Sequence, residues 1–471
     1  MLPTVTTMLS LLYIFCLAIE SSAFSDSLVK QDGPKLSSRN MYSPSELPDS
    51  IPPALAFERS TWATGPVSED SFYQIAPEWT EAEPGTVLKV EEMDPSIYTI
   101  PSGTAITRFL YQSKNFLGAK TPASGYILFP FSPRKLQDGS VPVVLWAHGT
   151  SGFYPDSAPS HLRDIWQNPM VPTPLVQHGY VVVAPDWAGL GVGKNGAGED
   201  IVHEYLASSA HANDMEFALQ AAYAACPFLG RNFTVIGHSQ GGGAVWSFAE
   251  RMHEKPIEGY LGAVAMSPFT RILDEPAENN PILPLLGIAV LPTIASIFSD
   301  FDVADVLTPE GIQRYHLDRK TQGNVAVSKA LLSDLIDFPM LKEDWTRNEY
   351  MQRFQEATAN GGKPIKGPML VIQGDKDPLM YAHVTTSAVE QTVAVSPGES
   401  ISYMKYTNIS HVPAIWVSQQ HWLDWIAKRF DGEATSPGFQ QEQVNPFLPW
   451  ARYQGEMNFY TRRATEFYHV P

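Results

Sequence analysis

The pentapeptide Gly-His-Ser-Gln-Gly at residues 237–241 constrains the fold of this chain more than any other stretch. The apolar run at 233–236 predicts a β-strand before it, and the residues after it predict a helix. A serine at the turn between such elements has its hydroxyl exposed above the sheet. The pattern therefore predicts Ser239 as a nucleophile and the backbone N–H of Gln240 as an oxyanion donor. Because such pentapeptides also arise by chance, this interpretation depends on the rest of the chain.

An acid and a histidine follow the serine in chain order. The strand-like run at 368–373 leads to Asp377, and the run at 401–407 leads to His411. Serine, acid and histidine occur in this order in α/β-hydrolases. The sequence thus predicts a catalytic triad of Ser239, Asp377 and His411.

Two aspartates compete for the acid position. Gly374 permits a tight turn, and Pro378 biases Asp377 toward extended geometry, which directs its side chain away from its own backbone. We therefore expect Asp377 to reach His411, and Asp375 to accept hydrogen bonds from the turn.

A second oxyanion donor is expected after the continuously apolar strand at 141–147, which ends in His-Gly-Thr-Ser-Gly. A glycine-containing turn at a strand's carboxyl end presents backbone N–H groups to a developing oxyanion. We assign the N–H of Thr150, with Ser151 as the neighbouring candidate.

The glycine-rich residues 189–193 resemble a dinucleotide-binding loop superficially. Their third glycine does not stand at the position that the dinucleotide fingerprint requires, so the sequence favours a pocket-lining loop.

Composition and charge exclude several classes of protein. The chain has 471 residues, of which 44% are hydrophobic, which is ample for a large core. Its net charge of -18 repels phosphate backbones and anionic lipid surfaces, so nucleic acid is not an expected partner. The sequence leaves the oligomeric state open.

The N-terminus predicts secretion. An apolar core at 9–19 followed by small residues at 21–23 is typical of a signal peptide, with cleavage after Ala23. The alternative is a membrane anchor, but 11 apolar residues are too few to span a bilayer. Since Cys16 lies in this segment, Cys226 remains alone and the mature extracellular chain has no intramolecular disulfide. Asn232 and Asn408 are N-glycosylation acceptors in form.

The pattern of apolar and polar residues divides the chain into an N-terminal extension, a core in two parts, an insertion and a tail. A loosely ordered N-terminal extension is expected at 24–69, and the first part of an α/β core at 70–270, starting with antiparallel strands at 105–111 and 126–131. A helical insertion at 271–362 is long enough to be a lid, and its proline-broken apolar run either contacts substrate or forms lid core. The second part of the core is expected at 363–435. The aromatic-rich tail at 436–471 is expected to dock on this core.

Seven short stretches match one known family. They are Asp-Ser-Phe-Tyr at 70–73, Pro-Gly-Thr-Val-Leu at 84–88, Trp-Ala-His-Gly-Thr at 146–150, Ala-Pro-Asp-Trp-Ala-Gly-Leu-Gly at 184–191, Gly-His-Ser-Gln-Gly-Gly at 237–242, Gly-Asp-Lys-Asp at 374–377 and Ser-His at 410–411. Through them the chain resembles the fungal secretory lipase family of α/β-hydrolases. The resemblance implies a mostly parallel central sheet flanked by helices, a helical lid inserted after the sixth core strand, the triad Ser239-Asp377-His411 and hydrolysis of carboxylic esters. The chain departs from the family in its lack of structural disulfides and in its tail after residue 436.

These observations predict a secreted serine hydrolase that cleaves carboxylic esters through an acyl-enzyme, without metal or cofactor. Its expected partners are an ester or lipid substrate and, transiently, a lipid–water interface. The same site would serve an esterase, deacetylase or acyltransferase acting on a small-molecule natural product. A hydrolase fold that only binds ligands is the alternative from another class, but it would typically lack a triad residue, and all three are present.

Overall fold

A ten-stranded sheet organises the part of the chain that the computed structural model describes, namely residues 45–274, 283–333, 339–454 and 465–469. The strands are β1 (Val87–Glu92), β2 (Thr104–Lys114), β3 (Lys120–Pro130), β4 (Val141–Ala147), β5 (Val181–Pro185), β6 (Leu229–His238), β7 (Tyr260–Met266), β8 (Met369–Gly374), β9 (Ser400–Tyr406) and β10 (Gly438–Val444). Their spatial order is β1-β2-β3-β5-β4-β6-β7-β8-β9-β10. The pairs β1–β2, β2–β3 and β3–β5 are antiparallel and the other pairs are parallel. The predicted antiparallel start and mostly parallel sheet are confirmed.

Helices cover both faces of this sheet. They are α1 (Ile51–Ser60), α2 (Pro172–Gln177), α3 (Ser208–Ala225), α4 (Gln240–Glu254), α5 (Leu283–Ala289), α6 (Leu291–Ile297), α7 (Pro309–Thr321), α8 (Val325–Ser333), α9 (Glu349–Thr358), α10 (Ala382–Val395), α11 (Pro413–Val417) and α12 (Gln419–Phe430). Side chains of α3, α4 and α10 form one core cluster with the sheet, and those of α2, α11 and α12 form a second. Because both faces are covered, the central strand β4 is buried along its whole length, which explains its continuously apolar sequence.

The parallel strands place their following loops at one edge. The carboxyl ends of β4, β5, β6, β8 and β9 lie together there, so the segments after these strands meet although they are far apart in sequence. The predicted nucleophile, acid and histidine follow β6, β8 and β9 respectively.

Some predicted boundaries differ from the structure. The spacing of apolar residues predicts a helix from His203 to Ala225, but the helix begins at Ser208, because Leu206 has a φ of 61°, which a helix does not accommodate. β1 and β10 were not predicted. Five of the seven residues of β10 are exposed at the edge of the sheet, so its Gln- and Glu-rich sequence carries no buried apolar face to detect.

The N-terminal extension is more ordered than predicted. Helix α1 buries Ile51 and Ala54 in a small cluster with Val327 and Leu331 of α8. The expectation of a loosely ordered segment up to residue 69 is therefore wrong for residues 51–60. Their scattered apolar side chains pack on an insertion helix more than 270 residues later, a contact that local periodicity does not reveal.

Glu58 on α1 makes the junction with α8 sensitive to pH. Its carboxylate is 2% exposed and accepts a hydrogen bond of 2.9 Å from the Asn324 backbone N–H. Burial is the main cause that raises its pKa from 4.5 to about 8; the Asp156 charge raises it further, whereas the Asn324 N–H and Arg59 lower it.

We expect stability to fall as Glu58 ionises. Because the folded chain holds a proton that the unfolded chain releases, this stabilisation is complete below pH 4.5 and is lost as pH rises through about 8. Between pH 5 and 9, wild-type protein should lose on the order of 2 kcal/mol more free energy of unfolding than Glu58→Gln, which cannot ionise. Denaturant titrations at both pH values test this, with exposed Glu78→Gln as the control. Equal losses in wild type and Glu58→Gln would contradict it.

Helices α5 to α9 form an insertion between β7 and β8. The family resemblance predicts a lid after the sixth core strand. In the structure the insertion follows the seventh strand, because β1 was not predicted. The insertion has its own apolar cluster, which includes Leu379 and Met380 after β8 and Tyr205 after β5. It therefore packs against the loops at the edge of the sheet where Ser239 lies. Parts of it, 275–282 and 334–338, lie outside the described residues.

The tail begins with β10, which pairs in parallel with β9 and extends the sheet by one strand. Trp450 packs against the core cluster on the α12 side, whereas Phe447 is 94% exposed. The predicted signal peptide, Cys16 and the tail residues 455–464 lie outside the described residues. Among the helices of the described residues, none has the length and apolar character needed to cross a membrane.

Candidate active site

Ser239 lies at the turn between β6 and α4. Its backbone has φ 57° and ψ −118°, a strained conformation that places the side chain at the apex of the turn, and the residue is 8% exposed. A Cβ at Gly237 would clash with the Gly241 carbonyl, and a Cβ at Gly241 would clash with the Ala147 carbonyl of β4. The two glycines are therefore required for the close approach of strand and helix, as the pentapeptide predicts.

His411 and Asp377 form a buried pair at the same edge. The Nδ1 atom of His411 lies 2.7 Å from Oδ2 of Asp377, and both side chains are fully buried. The structure thus brings together the histidine and the acid that the sequence predicted. An N–H at Nδ1 that donates to this carboxylate leaves Nε2 as the basic atom of the ring.

The Asp377 carboxylate is held on both oxygens. Its Oδ1 accepts hydrogen bonds of 2.9 Å from the backbone N–H groups of Leu379 and Met380. Its Oδ2 also accepts one of 3.1 Å from Nε2 of Gln373. Gln373 is held in turn by the Thr385 hydroxyl, which donates to its Oε1 at 3.0 Å. These donors stabilise the ionised carboxylate and fix its orientation toward His411.

Asp375 has a different role. Its Oδ1 accepts a hydrogen bond of 2.7 Å from the Asn408 backbone N–H, and Lys376 N–H donates to the Ile409 carbonyl at 2.9 Å. Asp375 therefore joins the turn after β8 to the turn that carries His411, whereas the sequence predicted hydrogen bonds within its own turn. Its carboxylate makes no hydrogen bond to His411 in the described structure.

A second histidine, His238, holds His411 in place by a hydrogen bond to the His411 backbone carbonyl. The side chain of Gln167 accepts from Gly149 N–H at 3.0 Å and donates to Nδ1 of His238 at 3.3 Å. Nε2 of His238 then donates to the His411 carbonyl at 3.3 Å, and the two rings lie 4.6 Å apart. Burial lowers the pKa of His238 well below its usual value, so the ring is neutral and can act as acceptor and donor at once.

The Nε2 atom of His411 is buried and has no hydrogen-bond partner among the described residues. It is the ring nitrogen opposite the Asp377 contact. Among the described residues, no hydrogen bond joins this atom to the Ser239 hydroxyl, so the structure leaves Nε2 unoccupied at the edge of the sheet where Ser239 also lies, and a general base needs such a free position.

The predicted oxyanion donors are backbone amides at two neighbouring loops. Thr150 follows β4 and is 7% exposed; Gln240 begins α4 and is 2% exposed. Neither amide donates a hydrogen bond to another group of the described residues. Two unpaired N–H groups beside a nucleophile are the arrangement that stabilises a developing oxyanion. Ser151, the alternative donor, has its carbonyl bound to Val325 N–H of the insertion at 3.0 Å.

A cleft of about 550 Å³ is lined by His203 and Tyr205, whose side chains contact Gln240 and Thr150, but its lining includes neither Ser239 nor His411. Its walls are the glycine-rich loop after β5, the segment 67–75 and helices α5, α7 and α8 of the insertion. Lys194, Asn195 and Arg319 line its polar parts, and Phe153 and Ile288 line its apolar parts. The glycine-rich loop thus lines a pocket, as predicted.

Several supporting residues were not recognised from the sequence. They are Gln167, Gln373, His203 and His211. Gln167, His203 and His211 make their key contacts with residues in distant segments, whereas Gln373 contacts Asp377 only four residues later without a recognised motif. The position of His148 in the turn after β4 predicts a structural role, and its contacts are of that kind, because Nδ1 lies 2.7 Å from the Gly149 carbonyl and Nε2 lies 3.3 Å from the Asp186 carbonyl.

The two N-glycosylation acceptors differ in accessibility. Asn232 lies in β6 and is exposed, whereas Asn408 is half-buried in the turn that contacts Asp375.

Within the described residues, no group of three or more His, Cys, Asp or Glu side chains is arranged to hold a metal ion.

The sheet order, the strained serine turn and the buried acid–histidine pair define an α/β-hydrolase. The model of the alpha/beta hydrolase family matches residues 143–428, and the chain belongs to this family. Lipase A of Arthroderma benhamiae is 28% identical over 141 residues, which cover 26% of this chain and 29% of that protein. The match thus spans less than a third of that relative's length.

Solved structures show the same fold. Candida antarctica lipase A in its closed state aligns with a TM-score of 0.62 and 14% identity, over 79% of this chain and 88% of that chain. The rice cell wall degrading esterase LipA from Xanthomonas oryzae aligns with a TM-score of 0.57 and 16% identity, over 73% of this chain and all of that chain. At these identities the likeness establishes the fold.

Proposed function

We propose that this protein hydrolyses carboxylic esters, with Ser239 as nucleophile, His411 as general base and Asp377 as the residue that orients the imidazole. The observation that carries the proposal is the buried His411–Asp377 contact of 2.7 Å, with Nε2 of His411 left unpaired at the edge where Ser239 lies. The similar proteins are named as lipases and an esterase, which supports carboxylic esters as the class of substrate.

The chemistry follows from the positions of these groups. His411 Nε2 takes the Ser239 proton as Oγ attacks the ester carbonyl, and the Asp377 carboxylate stabilises the imidazolium that forms. The N–H groups of Thr150 and Gln240 stabilise the negative oxygen of the tetrahedral intermediate. His411 then gives its proton to the leaving alcohol, which leaves an acyl group on Ser239. Water, deprotonated by His411, attacks the acyl-enzyme and releases the acid.

Helices α5 to α9 are proposed to act as a lid over this site. Their apolar cluster is continuous with Leu379 and Met380, which directly follow the Asp377 turn, and Ser239 is only 8% exposed beneath this edge of the sheet. The cleft of about 550 Å³ between the insertion and the glycine-rich loop is large enough for part of an ester substrate.

Hydrolysis of p-nitrophenyl esters of increasing acyl length, with triglyceride emulsion and acetylated small molecules alongside, tests the activity and ranks its substrates. A fluorophosphonate should label the protein, and mass spectrometry of the labelled peptide should place the label on Ser239. Absence of hydrolysis across the panel together with absence of labelling would contradict the proposal.

We also propose that the protein is secreted after cleavage of residues 1–23, as the apolar segment at 9–19 indicates. Expressed in a eukaryotic secretion host, the protein recovered from the medium should begin at Phe24. N-terminal sequencing measures this directly. Recovery of the uncut chain in the membrane fraction would instead support the anchor interpretation.

A further inference from the structure

One short segment contacts the side chains of both residues that carry the proposed oxyanion donors. Nε2 of His203 accepts a hydrogen bond of 3.1 Å from the side-chain amide of Gln240. The hydroxyl of Tyr205, two residues later, lies 3.0 Å from the hydroxyl of Thr150. Thr150 follows β4, and Gln240 begins α4 directly after the neighbouring strand β6, so residues 203–205 add a side-chain connection between two loops that paired strands already place side by side.

We infer that His203 and Tyr205 are positioning residues that hold the amides of Gln240 and Thr150 at the separation that an oxyanion requires. This inference rests on the proposed ester hydrolysis. A transition-state oxygen is stabilised only by donors at about 2.7–3.1 Å, so a small shift of either loop weakens both hydrogen bonds.

The hydrogen-bonding pattern around Gln240 is defined by a pair of neutral histidines. Nδ1 of His203 donates to the Ala188 carbonyl at 3.2 Å, which leaves Nε2 as an acceptor. Nε2 of His211 lies 3.3 Å from the same amide nitrogen of Gln240, and it accepts the second N–H bond of that amide in the tautomer that carries the His211 proton on Nδ1. Burial lowers the pKa of His203 to about 3 and that of His211 well below its usual value, which keeps both rings uncharged.

Residues 203–205 are held by contacts with three other parts of the chain. Tyr205 is 2% exposed and packs edge-on against Phe153 at 4.9 Å. Its carbonyl accepts a hydrogen bond of 3.1 Å from the Thr293 hydroxyl of α6. Glu204 accepts one of 2.6 Å from Phe116 N–H in the loop after β2. Because the segment is tied to both the core and the insertion, it provides a rigid support.

Two variants test this inference, of which His203→Leu also removes the donor to the Ala188 carbonyl. His203→Leu removes the acceptor for Gln240, and Tyr205→Phe removes a single oxygen. His203→Gln is the rescue variant, since its Oε1 can accept from Gln240 where Nε2 does. The matched controls are His421→Leu, whose Nδ1 contacts the Tyr406 hydroxyl on the far side of β9, and Tyr223→Phe, whose hydroxyl donates to the Arg231 carbonyl.

We expect kcat on a soluble p-nitrophenyl ester to fall about 10- to 100-fold in His203→Leu and Tyr205→Phe, with less than about a threefold change in KM. The Ki of a trifluoromethyl ketone, whose adduct with Ser239 carries the oxyanion, should rise by the same factor as kcat/KM falls. His203→Gln should recover much of the loss. A residue that only stabilised the fold would lower the melting temperature without this parallel change.

The outcomes separate the two proposals. If wild-type protein neither hydrolyses esters nor is labelled at Ser239, the proposed function fails. If wild type is active but Tyr205→Phe and a folded His203 variant keep kcat and inhibitor affinity, the positioning role alone is overturned. Should His203→Leu not fold, Tyr205→Phe carries the test, because it removes one oxygen and keeps the packing of the ring against Phe153.

Discussion

Replacing Ser239 with alanine should lower kcat for ester hydrolysis by about 10⁶-fold, the loss expected when a serine hydrolase loses its nucleophile. The oxyanion amides and the binding surface remain in this variant, so a residual rate above that of water is expected. Fluorophosphonate labelling should disappear altogether, because the bond forms at the serine oxygen. The fold should persist, since alanine keeps the Cβ and Ser239 makes its structural hydrogen bonds through its backbone, to Met266, Gly243 and Phe269.

Ser247 supplies the matched control for this experiment. It lies on α4, the helix that Ser239 precedes, and both serines are 8% exposed. Ser247→Ala should therefore keep both hydrolysis and labelling, which separates loss of the nucleophile from damage to the helix. Labelling that persists in Ser239→Ala, or that is lost equally in Ser247→Ala, would show that the assignment of the nucleophile is wrong.

Much of the sheet could be predicted because its strands are buried on both faces. The apolar runs at 141–147 and 260–266 predict two strands, and β4 and β7 begin and end at these residues, since a continuous apolar run bounded by turn residues has one plausible interpretation. The order of strands also places the ends of β6, β8 and β9 at one edge, so the candidate nucleophile, acid and histidine could be named before their distances were known.

The supporting shell could not be predicted, because its contacts join segments that are distant in sequence. Gln167 reaches His238 across 71 residues, and His203 reaches Gln240 across 37. A glutamine or a histidine in a loop carries no sequence signal for such a contact. Helix α1 and strand β10 escaped prediction for a related reason, since one packs on a distant insertion helix and the other presents a largely exposed polar edge.

The second large effect concerns the two aspartates after β8. Asp377→Asn should lower kcat by about 10⁴-fold, as loss of the orienting acid does in serine proteases with this triad. Asp375→Asn should stay within about tenfold of wild type, because an asparagine oxygen can still accept from the Asn408 N–H. Both purified variants are to be compared with wild type on one soluble ester. A larger loss at Asp375 would mean that the wrong carboxylate has been assigned.

The structure explains why asparagine cannot replace Asp377 although it has almost the same shape. Two backbone N–H groups, from Leu379 and Met380, donate to Oδ1, so the amide oxygen of an asparagine must occupy that position. Its NH₂ group then faces Nδ1 of His411 and Nε2 of Gln373, at the place where the carboxylate accepted from both. A donor there favours the His411 tautomer that carries its proton on Nε2, and this nitrogen can no longer take the proton of Ser239. The loss should therefore appear in kcat while the protein stays folded.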